Sequence, residues 1–175
     1  MDKETIINTL EEKYQRLFDW LSQQDDDTWE TGPDGKWTTG QIVLHLLQSI
    51  KPLNTALSLP KFFLKYKYGT SNRALRDYDA VVKRYQERLE DAKGLTFKGS
   101  RNMKVPKLKE KTYLLNRLQV EYKKLQYKTE KRWSDKQLDT LILPHPLMGK
   151  MPVREIVMWT AYHVEHHTKI LKENY

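Results

Sequence analysis

In four separate stretches of this chain apolar residues return every three or four positions, and that period commits most of it to amphipathic helices. Ile6, Ile7, Leu10, Tyr14, Leu17, Phe18 and Leu21 form the first stripe, which predicts a helix over roughly Lys3 to Gln23, ended by Asp25-Asp26-Asp27. Ile42, Val43, Leu46, Leu47, Ile50, Leu53 and Leu57 form the second, capped by Thr38 or Thr39, with Pro52 as a kink or a shift of axis. Leu115, Leu118, Tyr122 and Leu125 define a third helix over about Lys111 to Trp133. The fourth covers Val153 to Glu173, where Pro152 suits the first turn because its missing N–H is not needed there. No stretch alternates as a half-buried strand would. The expected fold class is therefore all-α, with four principal helices packed as a bundle and any site built between facing helices.

The remaining segments read as connections. Thr28 to Trp37, with Gly32-Pro33-Asp34-Gly35, has turn chemistry and no period, so a loop is expected in which Trp29 and Trp37 fold back onto the core. Between the second and third helices lies an insertion at about 59–110. Within it, Leu59 to Gly69 interleaves aromatics with lysines and suits a short helix or a cap over a pocket. Asn72 to Ala92, with Leu75, Tyr78, Val81, Val82, Tyr85 and Leu89, predicts a helix stopped at Gly94. Leu95 to Glu110 has no period and reads as an exposed, mobile loop, and Ser134 to Pro146 as a connector with a short turn around Asp135 to Leu138. At 175 residues one domain spanning 1–175 is the simplest organisation, long enough to bury roughly two thirds of the unfolded surface.

Composition limits the chemistry. The chain has no cysteine, so disulfides, thiolate catalysis and cysteine-ligated zinc are excluded, and a bound metal would have to be held by His, Asp or Glu. The start of the chain lacks a signal-type apolar run, and no stretch approaches the ~20 apolar residues of a membrane span. The expectation is a soluble cytoplasmic protein with no membrane partner. The net charge of +8 is regional: Lys93 to Arg132 carries 13 Lys or Arg against Glu110, Glu121 and Glu130, which leaves the rest of the chain slightly acidic. Such a patch can attract nucleic acid, an acidic ligand or anionic lipid, or can simply be a solvated face.

The last helix carries Tyr162-His163-Val164-Glu165-His166-His167. Advancing about 100° per residue puts His163 and His167 on the inward stripe with Val157, Thr160 and Val164, whereas His166 falls on the flank beside Trp159 and Tyr162. Imidazoles at i and i+4 can pinch one metal ion, and a third ligand must come from elsewhere. The other histidines are His45, at the edge of the second stripe, and His145, between two prolines in the connector. His45 suits a cleft between helices. His145 reads as a loop position or a pocket lining, and His166 as a surface or supporting residue. Three neutral imidazoles would leave coordination positions open for water or substrate, and would suit zinc, nickel, cobalt or iron. Glu165 points away from the stripe and no Asp or Glu shares it, so no general base and no catalytic residue can be named from the sequence.

Trp37-Thr38-Thr39-Gly40-Gln41-Ile42-Val43-Leu44-His45-Leu46 resembles the start of the second helix in the DinB-like superfamily, which includes YfiT and bacillithiol-transferase proteins. Pro144 to Met151, followed by Tyr162 to Ile170, is similar to that superfamily's connector and final helix. The resemblance implies an up-down-down-up four-helix bundle. It also implies a three-histidine divalent metal site, with the first ligand at His45 and the pair at His163 and His167, and zinc or nickel as common occupants. The insertion of roughly 50 residues departs from the better-studied members, so substrate identity does not carry over.

Three readings of function follow. The first is a metal-dependent enzyme that transfers a low-molecular-weight thiol to an electrophile or hydrolyses a small molecule, with the basic insertion holding the thiol's carboxylates. The second is a non-catalytic, stress-associated protein that keeps the metal as a structural pin. The third is a nucleic-acid-binding module in which Lys93 to Arg132 meets phosphates and Tyr113, Tyr122 and Tyr127 stack on bases. A homodimer is expected, because exposed aromatics in Phe62 to Tyr68 leave apolar surface to cover.

Overall fold

The computed structural model describes residues 1–92 and 103–175. In chain order the helices are α1 (Lys3–Leu21), α2 (Asp27–Glu30), α3 (Thr39–Ser58), α4 (Lys61–Tyr68), α5 (Tyr78–Asp91), α6 (Lys111–Tyr127), α7 (Asp135–Thr140) and α8 (Val153–Asn174). A two-stranded antiparallel sheet, β1 (Ile142–His145) and β2 (Gly149–Pro152), precedes α8.

The direction of each long helix follows from which of its residues meet. The Met1 carbonyl accepts from Arg154, Lys13 pairs with Glu165 at 3.2 Å, and the Trp20 ring lies 6.4 Å from that of Tyr175, so α1 and α8 run parallel. Gln41 donates to the Met103 carbonyl, Asn54 to Glu121, and the Trp133 indole to the Leu57 carbonyl, so α3 and α6 also advance together. Lys123 pairs with Glu11, and the Gln126 amide donates to the Ile7 carbonyl, which makes α1 and α6 antiparallel. The bundle is therefore up-down-down-up, and the all-α expectation holds. Its four inward stripes merge into one apolar cluster in which Trp29, Trp133 and Tyr14 are fully buried. Tyr122 belongs to that cluster too, stacked on Tyr14 at 4.5 Å.

The start of α3 is set by two local devices. Thr38 Oγ1 accepts from the Gln41 N–H at 3.1 Å, and the Gln41 side chain accepts from the Thr38 N–H at 2.9 Å, satisfying two donors that a helix start leaves open. Gly40 lies against Trp29 so closely that a Cβ there would sit 2.7 Å from the Trp29 carbonyl oxygen. Together they fix the rotation of α3, and with it the direction in which His45 projects.

Several expectations need correction. The connector is not strand-free: β1 and β2 pair in register from Ile142 with Pro152 to His145 with Gly149. Pro144 and Pro152 are tolerated in the strands because both are edges. The turn is closed by Gly149 at φ 74°, a left-handed conformation that favours glycine. Helix α5 begins at Tyr78 rather than Asn72. Asp77 caps it by accepting from the Ala80 N–H at 2.8 Å, while 71–76 is drawn toward α8 and Leu75 stays exposed. The expected 28–37 loop contains α2. The third helix leaves α-geometry at Tyr127 and ends in a π turn, Lys128–Arg132. Of the expected 95–110 loop, 95–102 lies outside the described residues. The remainder is anchored, with the Met103 and Lys107 carbonyls accepting from Gln41 and Trp29.

Candidate metal centre

Antiparallel packing of α3 against α8 brings His45 opposite His163 and His167. The Nε2 atom of His163 lies 3.2 Å from Nε2 of His45 and 3.1 Å from Nε2 of His167. One ligand atom from each of the three residues lies within 4.8 Å of the other two. Hydrogen bonding alone serves this arrangement poorly. A neutral imidazole nitrogen is either an N–H or a single lone pair, so His163 Nε2 cannot make a linear bond to both neighbours. Three lone pairs facing one cation would satisfy all three atoms. With metal–nitrogen distances of about 2.0–2.1 Å, tetrahedral ligands would stand roughly 3.3 Å apart, close to the two spacings found. The donor set thus fits a divalent transition metal.

The surroundings keep these rings neutral. Burial, with the nearby positive charge of His166 second, lowers the His45 imidazole to about 4. Burial likewise holds His163 and His167 well below the ordinary imidazole value, each further depressed by its histidine neighbours. All three are therefore unprotonated near neutral pH, the state in which a lone pair is available to a metal. Aromatic rings wall the cluster. Trp159 stacks on His163 at 4.6 Å, Trp37 lies 5.1 Å from His45 and stacks parallel to His167 at 6.4 Å, and Tyr85 stands edge-on to His163 at 6.3 Å. Ser49 Oγ, one turn along α3 from His45, approaches His163 Nδ1 at 3.5 Å.

A family model described as the DinB superfamily matches residues 9–171. The chain belongs to the DinB superfamily. No curated protein and no solved structure matches it. Within this DinB chain the insertion does reach the centre, since Tyr85 of α5 supplies one wall.

The other two histidines lie apart from the cluster. His166 is half-buried on the α5 side of α8, its ring 5.2 Å from that of His167, and borders a cleft of about 480 Å³ lined by Gln86, Tyr162 and Lys169. His145, expected in a bland loop or lining a pocket, is buried in β1. Its Nδ1 accepts from the N–H groups of Leu147 and Met148 at 3.1 and 3.0 Å, so it shapes the hairpin turn. Trp159 stands against it at 4.2 Å, between it and His163.

One carboxylate escaped the sequence reading. Glu155, in the first turn of α8, is fully buried. Arg73 grips it with two bonds of 2.6 Å, and Arg76 donates from its backbone N–H at 2.8 Å and its guanidinium at 3.1 Å. Burial opposes its charge, but the hydrogen bonds from Arg73 and Arg76 outweigh that and leave its carboxyl below the ordinary range. A helical wheel cannot reveal such a latch, because its partners lie in 71–76, a stretch that the period assigned to α5 and that is not helical in the structure. The sequence offered little signal for it, because Asp77 and Asp79 beside Arg76 supply nearer acids than Glu155.

Proposed function

We propose that this chain is a divalent-metal-dependent enzyme in which His45, His163 and His167 hold zinc or nickel and a small molecule, with a low-molecular-weight thiol as first choice, is activated beside them. The observation that carries this reading is the convergence of three neutral Nε2 atoms at 3.1–3.2 Å on a buried, aromatic-walled cluster. A divalent ion there would supply Lewis acidity, lowering the pKa of a thiol or water at its open positions. The chain's own residues do the rest. Trp37, Trp159 and Tyr85 exclude bulk water, which strengthens every charge interaction inside. The cleft beside His166 offers a small molecule a berth between α5 and α8.

The test is metal binding followed by turnover. Purified protein challenged with zinc and with nickel should bind about one equivalent with better than micromolar affinity, and His45→Ala or His163→Ala should lose it. Binding of neither metal would end the proposal.

A second reading, a metal pin without chemistry, is favoured by one observation. Every carboxylate of α8 is engaged: Glu155 by two arginines, Glu165 by Lys13 and Glu173 by Lys169. Metal-loaded protein that accelerates neither thiol addition to a model electrophile nor ester hydrolysis would favour the pin.

A further inference from the structure

Helix α4 presents an unusual outer face. Taking Leu64, its buried residue, as the inward direction and advancing about 100° per residue, Phe62 and Tyr66 point straight out. They are 77% and 91% exposed. Lys61 and Lys65 flank that ridge on one side, Phe63 and Lys67 on the other. The cations extend beyond α4. Lys128 and Arg132, from the π turn, are near enough to Lys61 to depress its ammonium after burial has done so, and Lys150 of β2 donates to the Tyr68 carbonyl at 3.2 Å. None of these six cations has a carboxylate within ion-pair distance among the described residues. The acids on neighbouring turns are already engaged: Glu130 by Lys131, and Asp135 and Asp139 by Arg154.

Of the basic stripe expected from sequence to meet nucleic acid, Lys128 and Arg132 belong to this α4 end, and most of the described remainder is paired. Lys104, Lys107, Lys111, Arg117, Lys123 and Lys124 each pair with a carboxylate, and Tyr122 is in the core. Unbalanced charge with exposed aromatic surface is concentrated instead at the α4 end of the bundle.

We propose that this end of the molecule docks on the surface of an anionic lipid bilayer, with Phe62 and Tyr66 entering the headgroup layer and the exposed Lys65, Lys67, Arg132 and Lys150 meeting lipid phosphates. Aromatic rings with a polar edge settle at the interface, and each lysine near an anionic leaflet adds about 1 kcal/mol of attraction. Charge complementarity selects this occupant over a second copy of the chain. A two-fold interface would press the same cations against themselves. Phe62 and Tyr66 stand out into solvent, which disfavours a nucleic-acid strand that stacks its bases in a groove. Peripheral docking needs no spanning segment, and none of the described helices is long and apolar enough to be one. The surface is independent of the histidine cluster, since His45 and the end of α3 at Ser58 are about 20 Å apart along the helix.

The full chain should co-sediment with vesicles of phosphatidylcholine and phosphatidylglycerol, and not with phosphatidylcholine alone. Raising the salt should weaken that binding. Lys65→Ala should reduce it about fivefold, and Lys65→Glu with Lys67→Glu more than tenfold. Phe62→Ala with Tyr66→Ala should reduce it several-fold. Both residues are exposed, so folding should survive, and unchanged circular dichroism and zinc binding would verify that. Equal partitioning to neutral and anionic vesicles, or no effect of either double variant, would overturn the proposal. So would a chain that ignores vesicles but forms dimers dissolved by Phe62→Ala with Tyr66→Ala, or one that retains a generic oligonucleotide through Lys65 and Lys67 instead.

Discussion

His163 is the residue on which the site turns, because its Nε2 faces both His45 and His167. His163→Ala should abolish tight metal binding, whereas His166→Ala, whose side chain faces the α5 cleft, should keep about one equivalent of zinc. Competition with a chromophoric chelator distinguishes the two. Acid should act on the metal-free protein through its buried histidines. His45 and His145 titrate at about 4 when folded against an ordinary 6.5, so between those values the unfolded chain binds more protons. Stability present above pH 6.5 should fall as the pH drops toward 4, and a urea midpoint that does not move over that window would contradict it. The histidine pair was legible because i and i+4 share a helical face. Glu155 was not, since its two arginine partners lie about 80 residues away in a stretch whose apparent helical period the structure does not follow. Glu155→Gln leaves two guanidinium groups without a charge partner and should cost on the order of 3 kcal/mol in a denaturant titration.

At the level of the element, the start of α3 carries a disproportionate share of the site's geometry. Thr38→Ala removes the capping box and should destabilise by about 1 kcal/mol without changing the metal stoichiometry. Gly40→Ala is different, because the added methyl meets the Trp29 carbonyl and indole, both fixed in the core. It should cost roughly 1–3 kcal/mol and weaken metal binding as well, through a displaced His45. Isothermal titration with zinc on both variants separates the two effects. The long helices were readable from their stripes to within a few residues. The hairpin was not. Its sequence, Ile142-Leu-Pro-His-Pro-Leu-Met-Gly, hides a three-residue turn with a closing glycine behind prolines that normally argue against strands. The turn is held in part by His145 Nδ1, a contact that no periodicity encodes.

On the scale of the whole molecule, a metal held by the three histidines would be linked to the fold. The two helices that carry the candidate ligands are separated by most of the chain, so an ion bound only by the folded protein would add stability as its free concentration rises. At a hundredfold excess over Kd the gain is about 2.7 kcal/mol, or roughly 5–10 °C in Tm for a chain of this size. Thermal melts with zinc, repeated with His163→Ala, should show that shift in the first protein and not in the second. The parallel pairing of α1 with α8 has a consequence for how the protein is made. At 5–20 residues per second, roughly 8–30 s separate the synthesis of α1 from that of the helix that covers it. Throughout that interval the apolar stripe of Ile6, Leu10 and Leu17 waits on the growing chain, open to chaperones and to neighbouring ribosomes' products. That exposure ends only when α8 emerges, and the same helix brings the histidine pair of the candidate site.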